Sequence, residues 1–149
     1  MKNRVLILDF GSQYTKLIAR RIREIGVYSE IVPFNVSITR IREFSPGALV
    51  LSGGPSSVYA ARAPRISSEI LELGIPILGI CYGMQLLAHL AGMRVTPANE
   101  REFGLARLSL SAKSDLMQNI PSPTTVWMSH GDKITQLPPD FAITGTTEN

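Results

Sequence analysis

The apolar positions of this chain fall into two regimes that meet near Gly92. Before it, short branched runs alternate with stretches whose apolar residues recur every three or four positions. Val5 to Leu8 and Ala48 to Leu51 are uninterrupted apolar runs, and Ile75-Pro76-Ile77-Leu78 is another. Such runs, bounded by turn residues, read as strands buried on both faces. Ser29 to Val32, ended by Pro33, completes the strand set. Between them, Tyr14 to Ile25 predicts a helix with Ile18, Ile22 and Ile25 on one face and the arginines mostly off it. Ser12 is a candidate cap for that helix and Gly26 its stop. Ile38 to Phe44 predicts a short helix, Arg65 to Leu73 another stopped by Gly74, and Met84 to Ala91 a third. Beyond Gly92 the pattern changes. Met93 to Thr96, Leu105 to Leu110 and Thr124 to Met128 alternate or run short, with Pro97, Pro121 and Pro123 between them, so strands and hairpins are expected. Ser129 to Lys133 reads as a polar turn, Pro138-Pro139 as a loop, and Phe141 to Thr144 as a last strand.

Strands alternating with helices predict a three-layer α/β/α fold with a mostly parallel sheet covered on both faces. In such sheets ligands bind outside the carboxyl ends of the strands. Three features converge on that rim: the loop at Gly11-Ser12-Gln13, the turn at Gly53-Gly54, and Cys81.

The stretch around Cys81 carries the clearest chemistry. It reads G-I-P-I-L-G-I-C-Y-G-M-Q-L-L-A-H-L-A-G from Gly74 to Gly92, with the only cysteine of the chain between Gly79 and Gly83. A strand, a sharp turn with a nucleophile at its tip, then a helix is the pattern of a nucleophile elbow, here with Cys in place of Ser. The tip side chain must stand clear, so its flanking residues at either side are small. A helix start favours the thiolate, which is the attacking species. The N–H of Tyr82, next after the nucleophile, is placed to donate to an oxyanion, and the Gly53-Gly54 backbone is a reasonable second donor. The plainer readings are a cysteine that merely packs and an ordinary glycine turn.

Composition narrows the field. The chain has 149 residues, which suits one domain with a real core, and 44% of them are hydrophobic against 18% charged. The net charge of +3 is too mild to argue for nucleic acid. Arg20-Arg21-Arg23 is followed by Glu24 and reads as a solvated helix face. A single cysteine excludes an internal disulfide framework and suits a cytoplasmic, reducing compartment. Met1-Lys2-Asn3-Arg4 runs straight into a strand, so no leader is expected. The uncharged stretch from Leu73 to Met93 has the length of a membrane span, but its glycines, Pro76, Gln85 and His89 argue for a buried strand and helix instead. No phosphate-cradling glycine motif is present, Asp9-Phe10-Gly11 lacks the catalytic-loop set a kinase would add, and one Cys with two His gives no metal-site spacing.

A cysteine nucleophile needs a base, normally His, and an orienting carboxylate. His89 lies two helical turns beyond Cys81 and reads as a helix-face residue. His130, with Asp132 close by, leaves a Cys81–His130–Asp132 triad open on residue types alone.

Gly79-Ile80-Cys81-Tyr82-Gly83-Met84-Gln85 resembles the active-site motif of the class I glutamine amidotransferases. Asp9-Phe10-Gly11-Ser12-Gln13-Tyr14, Leu51-Ser52-Gly53-Gly54-Pro55 and Val126-Trp127-Met128-Ser129-His130-Gly131-Asp132-Lys133 extend the resemblance from Val5 to the chain end. They point to the branch whose amidotransferase domain feeds ammonia to an ATP-pyrophosphatase (synthetase) domain or subunit. The resemblance implies a flavodoxin-like fold, glutamine as substrate, and Cys81 as nucleophile. It implies oxyanion donors at Gly54 and Tyr82, and substrate contacts from Gln85, Ser129, His130 and Asp132. Gly53, Gly79 and Gly83 are structural turn residues. ATP and Mg belong, on this resemblance, to the synthetase partner, with a homodimer as the whole assembly and no nucleic acid or membrane partner. The family's catalytic His and Glu lie in a His-Pro-Glu motif. This chain has none, so the resemblance implies a domain truncated at its C-terminus with base and acid beyond Asn149, and little activity alone. Two rival readings remain at this point: another cysteine hydrolase of γ-glutamyl peptidase type with His130 as base, and a non-catalytic flavodoxin-like module.

Overall fold

A computed structural model describes residues 3–111 and 114–148. The elements, in chain order, are β1 (Arg4–Asp9), α1 (Thr15–Glu24), β2 (Tyr28–Pro33), α2 (Ile38–Phe44), β3 (Ala48–Leu51), a 3-10 helix (Ser68–Leu73), β4 (Ile77–Gly79), α3 (Tyr82–Leu90), β5 (Val95–Leu110), a 3-10 turn (Asp115–Met117), β6 (Thr124–Ile134) and β7 (Gly145–Thr146). They divide into two units, Met1–Gly92 and Met93–Asn149.

The first unit is built on four parallel strands in the order β2-β1-β3-β4. Alternate residues of β1 serve opposite faces. Ile7 joins Ala19 and Val50 in one cluster, with Val5, Ile18, Ile22, Ile31 and Ile80 packed against it. Leu6 and Leu8, facing the other way, are as buried as Ile7, as are Leu49 and Leu51 in β3. Burying each such side chain stabilises by about 1.5–3 kcal/mol. Both sheet faces are therefore covered, as the uninterrupted apolar runs predict. The fold is α/β with a parallel sheet.

Local chemistry sets the element ends. The Ser37 hydroxyl accepts the Arg40 N–H at 3.2 Å and starts α2. At the end of α1, Gly26 N–H donates to Arg23 O at 2.9 Å and Val27 N–H to Ile22 O at 3.2 Å, the paired bonds of a Schellman stop. The solvated reading of the arginine cluster holds for Arg20 and Arg21. Both pair with Glu24, at 2.9 and 2.8 Å, on the exposed face. Arg23 instead donates to Ser29 O at 2.7 Å.

Several expectations are corrected. The first helix begins at Thr15, because the Ser12 hydroxyl accepts the Tyr14 N–H at 3.1 Å and turns the chain one step early. Ile25 is 76% exposed, since it lies past the last turn and leaves Thr15, Ile18, Ala19 and Ile22 to form the inner face. The helix expected from Arg65 is helical only from Ser68. Ser67 caps the Glu69 N–H at 3.3 Å there, while the Arg65 guanidinium reaches Val58 O at 3.3 Å. Leu78 is 39% exposed, because β4 is a sheet edge among the described residues.

The second unit is a long antiparallel hairpin, β5 with β6, to which β7 adds. Pro97, expected between separate strands, lies inside β5 instead. The ladder shifts register between Pro97 and Glu102, and a proline is tolerated at such an irregularity. Ser129 to Lys133 lies inside β6 rather than in a turn, within the antiparallel ladder that β6 forms with β5. The last strand is Gly145–Thr146, not Phe141–Thr144. Ser111 takes the Ile143 and Thr144 carbonyls with its hydroxyl and N–H before the ladder begins.

Candidate active site

Parallel strands deliver their ends to one rim, and the candidate nucleophile sits there. Cys81 follows β4 by one residue and is the N-terminal flanking residue of α3. Its side chain is exposed, and its backbone holds φ 49° and ψ −112°. An L-residue with positive φ is costly by about 1–2 kcal/mol, and these angles match the first central position of a type II′ turn, a glycine position. Strain of this kind is retained where the surroundings enforce it.

The enforcement is visible in the flanking glycines. A Cβ on Gly79 would lie 2.6 Å from Met84 N, and one on Gly83 would overlap Leu51 O. The chain thus folds back on itself so tightly at the elbow that no side chain fits at position 79 or 83. Gly83 N–H donates to Ser52 O at 3.1 Å and to Ile80 O at 3.0 Å, Ile80 N–H donates to Leu51 O at 3.0 Å, and Gln85 N–H donates to Cys81 O at 3.0 Å. These bonds clamp the elbow onto the end of β3.

Gly53 and Gly54 follow β3 and reach the same place. A Cβ built on Gly53 would sit 3.4 Å from the Cys81 Cβ and 3.7 Å from the Ser12 hydroxyl. The structure therefore brings together the three rim features that the sequence predicts separately. Gly54 rests against Phe10, whose carbonyl oxygen is 2.5 Å from where a Gly54 Cβ would be. Among the described residues, neither Gly54 N–H nor Tyr82 N–H donates a hydrogen bond. Both remain available for an oxyanion. The carboxyl ends of β1 and β2 open beside this site onto a cavity of about 500 Å³, lined by Asp9, Phe10, Gly11 and residues of β2 and Phe34.

Tyr82 is buried, with its ring 5.4 Å from that of Phe10 and its hydroxyl donating to Pro64 O at 2.5 Å. Burial pushes the phenol above its usual range, opposed in part by the Arg65 guanidinium. Gln85 is 5% exposed, and its side-chain amide makes no hydrogen bond among the described residues. His89 is exposed in the last turn of α3, its Nε2 3.4 Å from Arg65 Nη1, which fits a helix-face residue.

Ser129, His130 and Asp132 belong to the second unit. In the ladder they oppose Phe103, Glu102 and Pro97. The roles expected of the Ser129 and His130 side chains fall outside the described residues. The residue that sequence reasoning missed is Ser52. It is fully buried, and its hydroxyl accepts the Phe10 N–H and donates to Gly53 O, each at 3.0 Å. The only hint in the sequence is a serine at a strand's carboxyl end directly before two glycines.

A strained cysteine between a parallel strand and a helix, beside a glycine turn, has the backbone geometry of a nucleophile elbow. The family assignment follows: the sequence model of glutamine amidotransferase class-I matches residues 6–149, and the chain belongs to that family. Among curated relatives, the GMP synthase [glutamine-hydrolyzing] of Natranaerobius thermophilus is 54% identical over 97% of this chain and 28% of the relative. The same-named protein of Campylobacter fetus is 53% identical over 100% of this chain and 29% of its own length. The chain thus spans under a third of the curated relatives it matches. Among solved structures, a GMP synthase subunit protein from Thermoplasma acidophilum superposes with a TM-score of 0.82 at 29% identity, over 99% of this chain and 74% of the other. A glutamine amidotransferase from Thermotoga maritima gives 0.80 at 24% identity, over 99% and 68%, and shares the fold. No helix among the described residues is long and apolar enough to cross a membrane.

Proposed function

We propose that this chain is the glutaminase part of a GMP synthase, with Cys81 as nucleophile. The observation that carries the reading is the positive φ of Cys81 at the tip of the elbow, beside the Gly53-Gly54 turn. The names of the curated relatives supply the substrate class.

In the proposed reaction the Cys81 thiolate attacks the side-chain amide carbon of glutamine. The S–C bond forms as the C=O electron pair moves onto oxygen, where the N–H groups of Gly54 and Tyr82 stabilise it. The C–N bond then breaks, nitrogen leaves as ammonia with a proton, and a γ-glutamyl thioester remains. Water adds to the thioester, the C–S bond breaks, and glutamate and Cys81 are released. Gln85, Ser129, His130 and Asp132 are assigned to glutamine binding. The base that takes the thiol proton and its orienting acid are assigned beyond Asn149, since the sequence contains no His-Pro-Glu. The ammonia is assigned to a synthetase domain or subunit that uses ATP and Mg to aminate xanthosine monophosphate to GMP, in a homodimeric assembly.

The test is covalent. The chain is incubated with the chloromethyl ketone of glutamine, and adducts are mapped by mass spectrometry. A single adduct at Cys81, slowed by free glutamine and missing in Cys81→Ala, is expected. No adduct at Cys81 would return the chain to a non-catalytic module. Glutamine turnover by the chain at about 10 per second, a typical enzyme rate, would place the base inside it, at His130.

A further inference from the structure

The geometry points to Ser52 as a positioning residue: we infer that its hydroxyl locks the Gly53–Gly54 peptide plane so that the Gly54 N–H stays aimed at the oxyanion. The inference rests on the glutaminase reading of Cys81.

Every polar group of Ser52 is used. Its N–H donates to Leu8 O at 3.1 Å, and its carbonyl accepts the Gly83 N–H at 3.1 Å. Any residue would make those two bonds. Only the hydroxyl makes the other two, from Phe10 N–H and to Gly53 O. Gly53 O and Gly54 N–H are opposite ends of one planar trans peptide. Holding the oxygen therefore aims the N–H. The need for a hold is plain from the neighbours. Glycine stands on both sides of this peptide, so rotating the plane by half a turn meets little steric resistance. A flipped plane would point a carbonyl oxygen where the oxyanion forms.

The same residue reaches the surroundings of the other donor. Phe10, whose N–H its hydroxyl accepts, packs its carbonyl against Gly54 and sets its ring, tilted by 46°, 5.4 Å from that of Tyr82. Ser52 O holds Gly83, the residue after Tyr82. Ser52 thus links the Gly53–Gly54 peptide to Phe10 at the end of β1 through its hydroxyl, and to the start of α3 through its backbone carbonyl.

The experiment compares three alkylating agents at Cys81: the chloromethyl ketone of glutamine, chloroacetone and iodoacetamide. With either chloroketone, Sγ bonds to the methylene carbon, chloride leaves, and the ketone oxygen carries transient negative charge that an oxyanion site stabilises. Iodoacetamide displaces iodide with no such demand and reports thiol access alone. Ser52→Ala is expected to slow both chloroketones about tenfold or more, with iodoacetamide within about twofold of wild type. Loss of an entire oxyanion donor costs about 10²–10³, so a misaimed donor falls at or below that range. Ser29→Ala is the matched control. Ser29 is equally buried, with its hydroxyl donating to Ala19 O at 3.0 Å, away from the elbow. It is expected to leave all three rates within about twofold.

Unchanged chloroketone rates in Ser52→Ala overturn the inference. So does a parallel fall with all three reagents, or an equal fall in Ser29→Ala, since both indicate general loosening. Should Ser52→Ala not fold, Ser52→Thr keeps the hydroxyl and must keep the chloroketone-to-iodoacetamide ratio at the wild-type value, and a lower ratio overturns the inference. Equal wild-type rates with the glutamine ketone and chloroacetone would defeat the glutamine reading, while the effect of Ser52→Ala on chloroacetone would still decide the role of the hydroxyl.

Discussion

The first turn of α3 lies directly on the end of β3: a Cβ on Gly83 would overlap the carbonyl oxygen of Leu51. Backbone meets backbone there, so no rotamer change can make room. Gly83→Ala is expected to destabilise the chain by about 3 kcal/mol or more, the upper part of the overpacking range. Gly26→Ala provides the comparison. Gly26 has φ +79° and nothing within 4 Å of an added Cβ, so only the backbone conformation is strained. It should lose about 1–2 kcal/mol. Urea unfolding of the two variants checks the order, and a milder effect at Gly83 would refute the close approach.

Cys81 holds a positive φ, and its sulfur is the proposed nucleophile. Removing the side chain should therefore relieve strain as it abolishes reactivity. Cys81→Gly is expected to be more stable than Cys81→Ala by about 1 kcal/mol. The gain is the strain of about 1–3 kcal/mol at this sparsely populated backbone conformation less part of the extra chain entropy that glycine brings to the unfolded state. Chemical denaturation of the two variants measures it. Equal stabilities would mean that the elbow is not strained.

The parts of this architecture legible in the sequence are those specified by neighbours in the chain. Ile38 to Phe44 and Ala48 to Leu51 have the expected boundaries, because a serine cap and a tight turn bracket them. Cys81 between Gly79 and Gly83 announces the elbow for the same reason. What sequence reading missed depends on distant partners. The bond that the Ser52 hydroxyl accepts from Phe10 N–H spans 42 positions. The long β5 strand is hidden by Pro97, whose missing N–H is harmless only at the register shift. The polar run after Met128 pairs as a strand because β5 offers it a ladder, not because its own residues favour one. Glutamine as the proposed substrate rests on resemblance and on the names of the relatives, since nothing in the spacing of the elbow separates glutamine from another amide.

The Tyr82 phenol gives a pH dependence. Its pKa is raised from 10.0 by burial, so the folded state favours the neutral form. A raised folded value means stability that is fully present below the unfolded pKa, about 10, and lost as pH rises through the folded one. At neutral pH, Tyr82→Phe should lose about 1 kcal/mol, the net worth of the hydrogen bond to Pro64 O. Above pH 10 that advantage of wild type should shrink steadily. Unfolding curves at pH 7, 10 and 11 read both effects. A constant difference between the two proteins would show that the phenol titrates as an exposed one. The Tyr82 N–H is untouched by this change, so alkylation of Cys81 should be unaffected at pH 7.

Gln85 should set function against stability. Its side chain is 5% exposed one helical turn from Cys81, with no hydrogen-bond partner for its amide among the described residues. A buried amide without a partner costs about 1–3 kcal/mol. A ligand that bonds the amide would offset that cost, and glutamine binding is the proposed role of Gln85. Met has a similar length and volume without the polar atoms. Gln85→Met is therefore expected to raise stability by about 1 kcal/mol, seen as a higher urea midpoint with an unchanged slope. The same variant should lose most of the preference of Cys81 for the chloromethyl ketone of glutamine over chloroacetone, while reaction with iodoacetamide stays near wild type. A destabilised Gln85→Met would mean that the amide is satisfied inside the protein and serves the core. A stabilised variant that keeps the preference would remove Gln85 from the glutamine site.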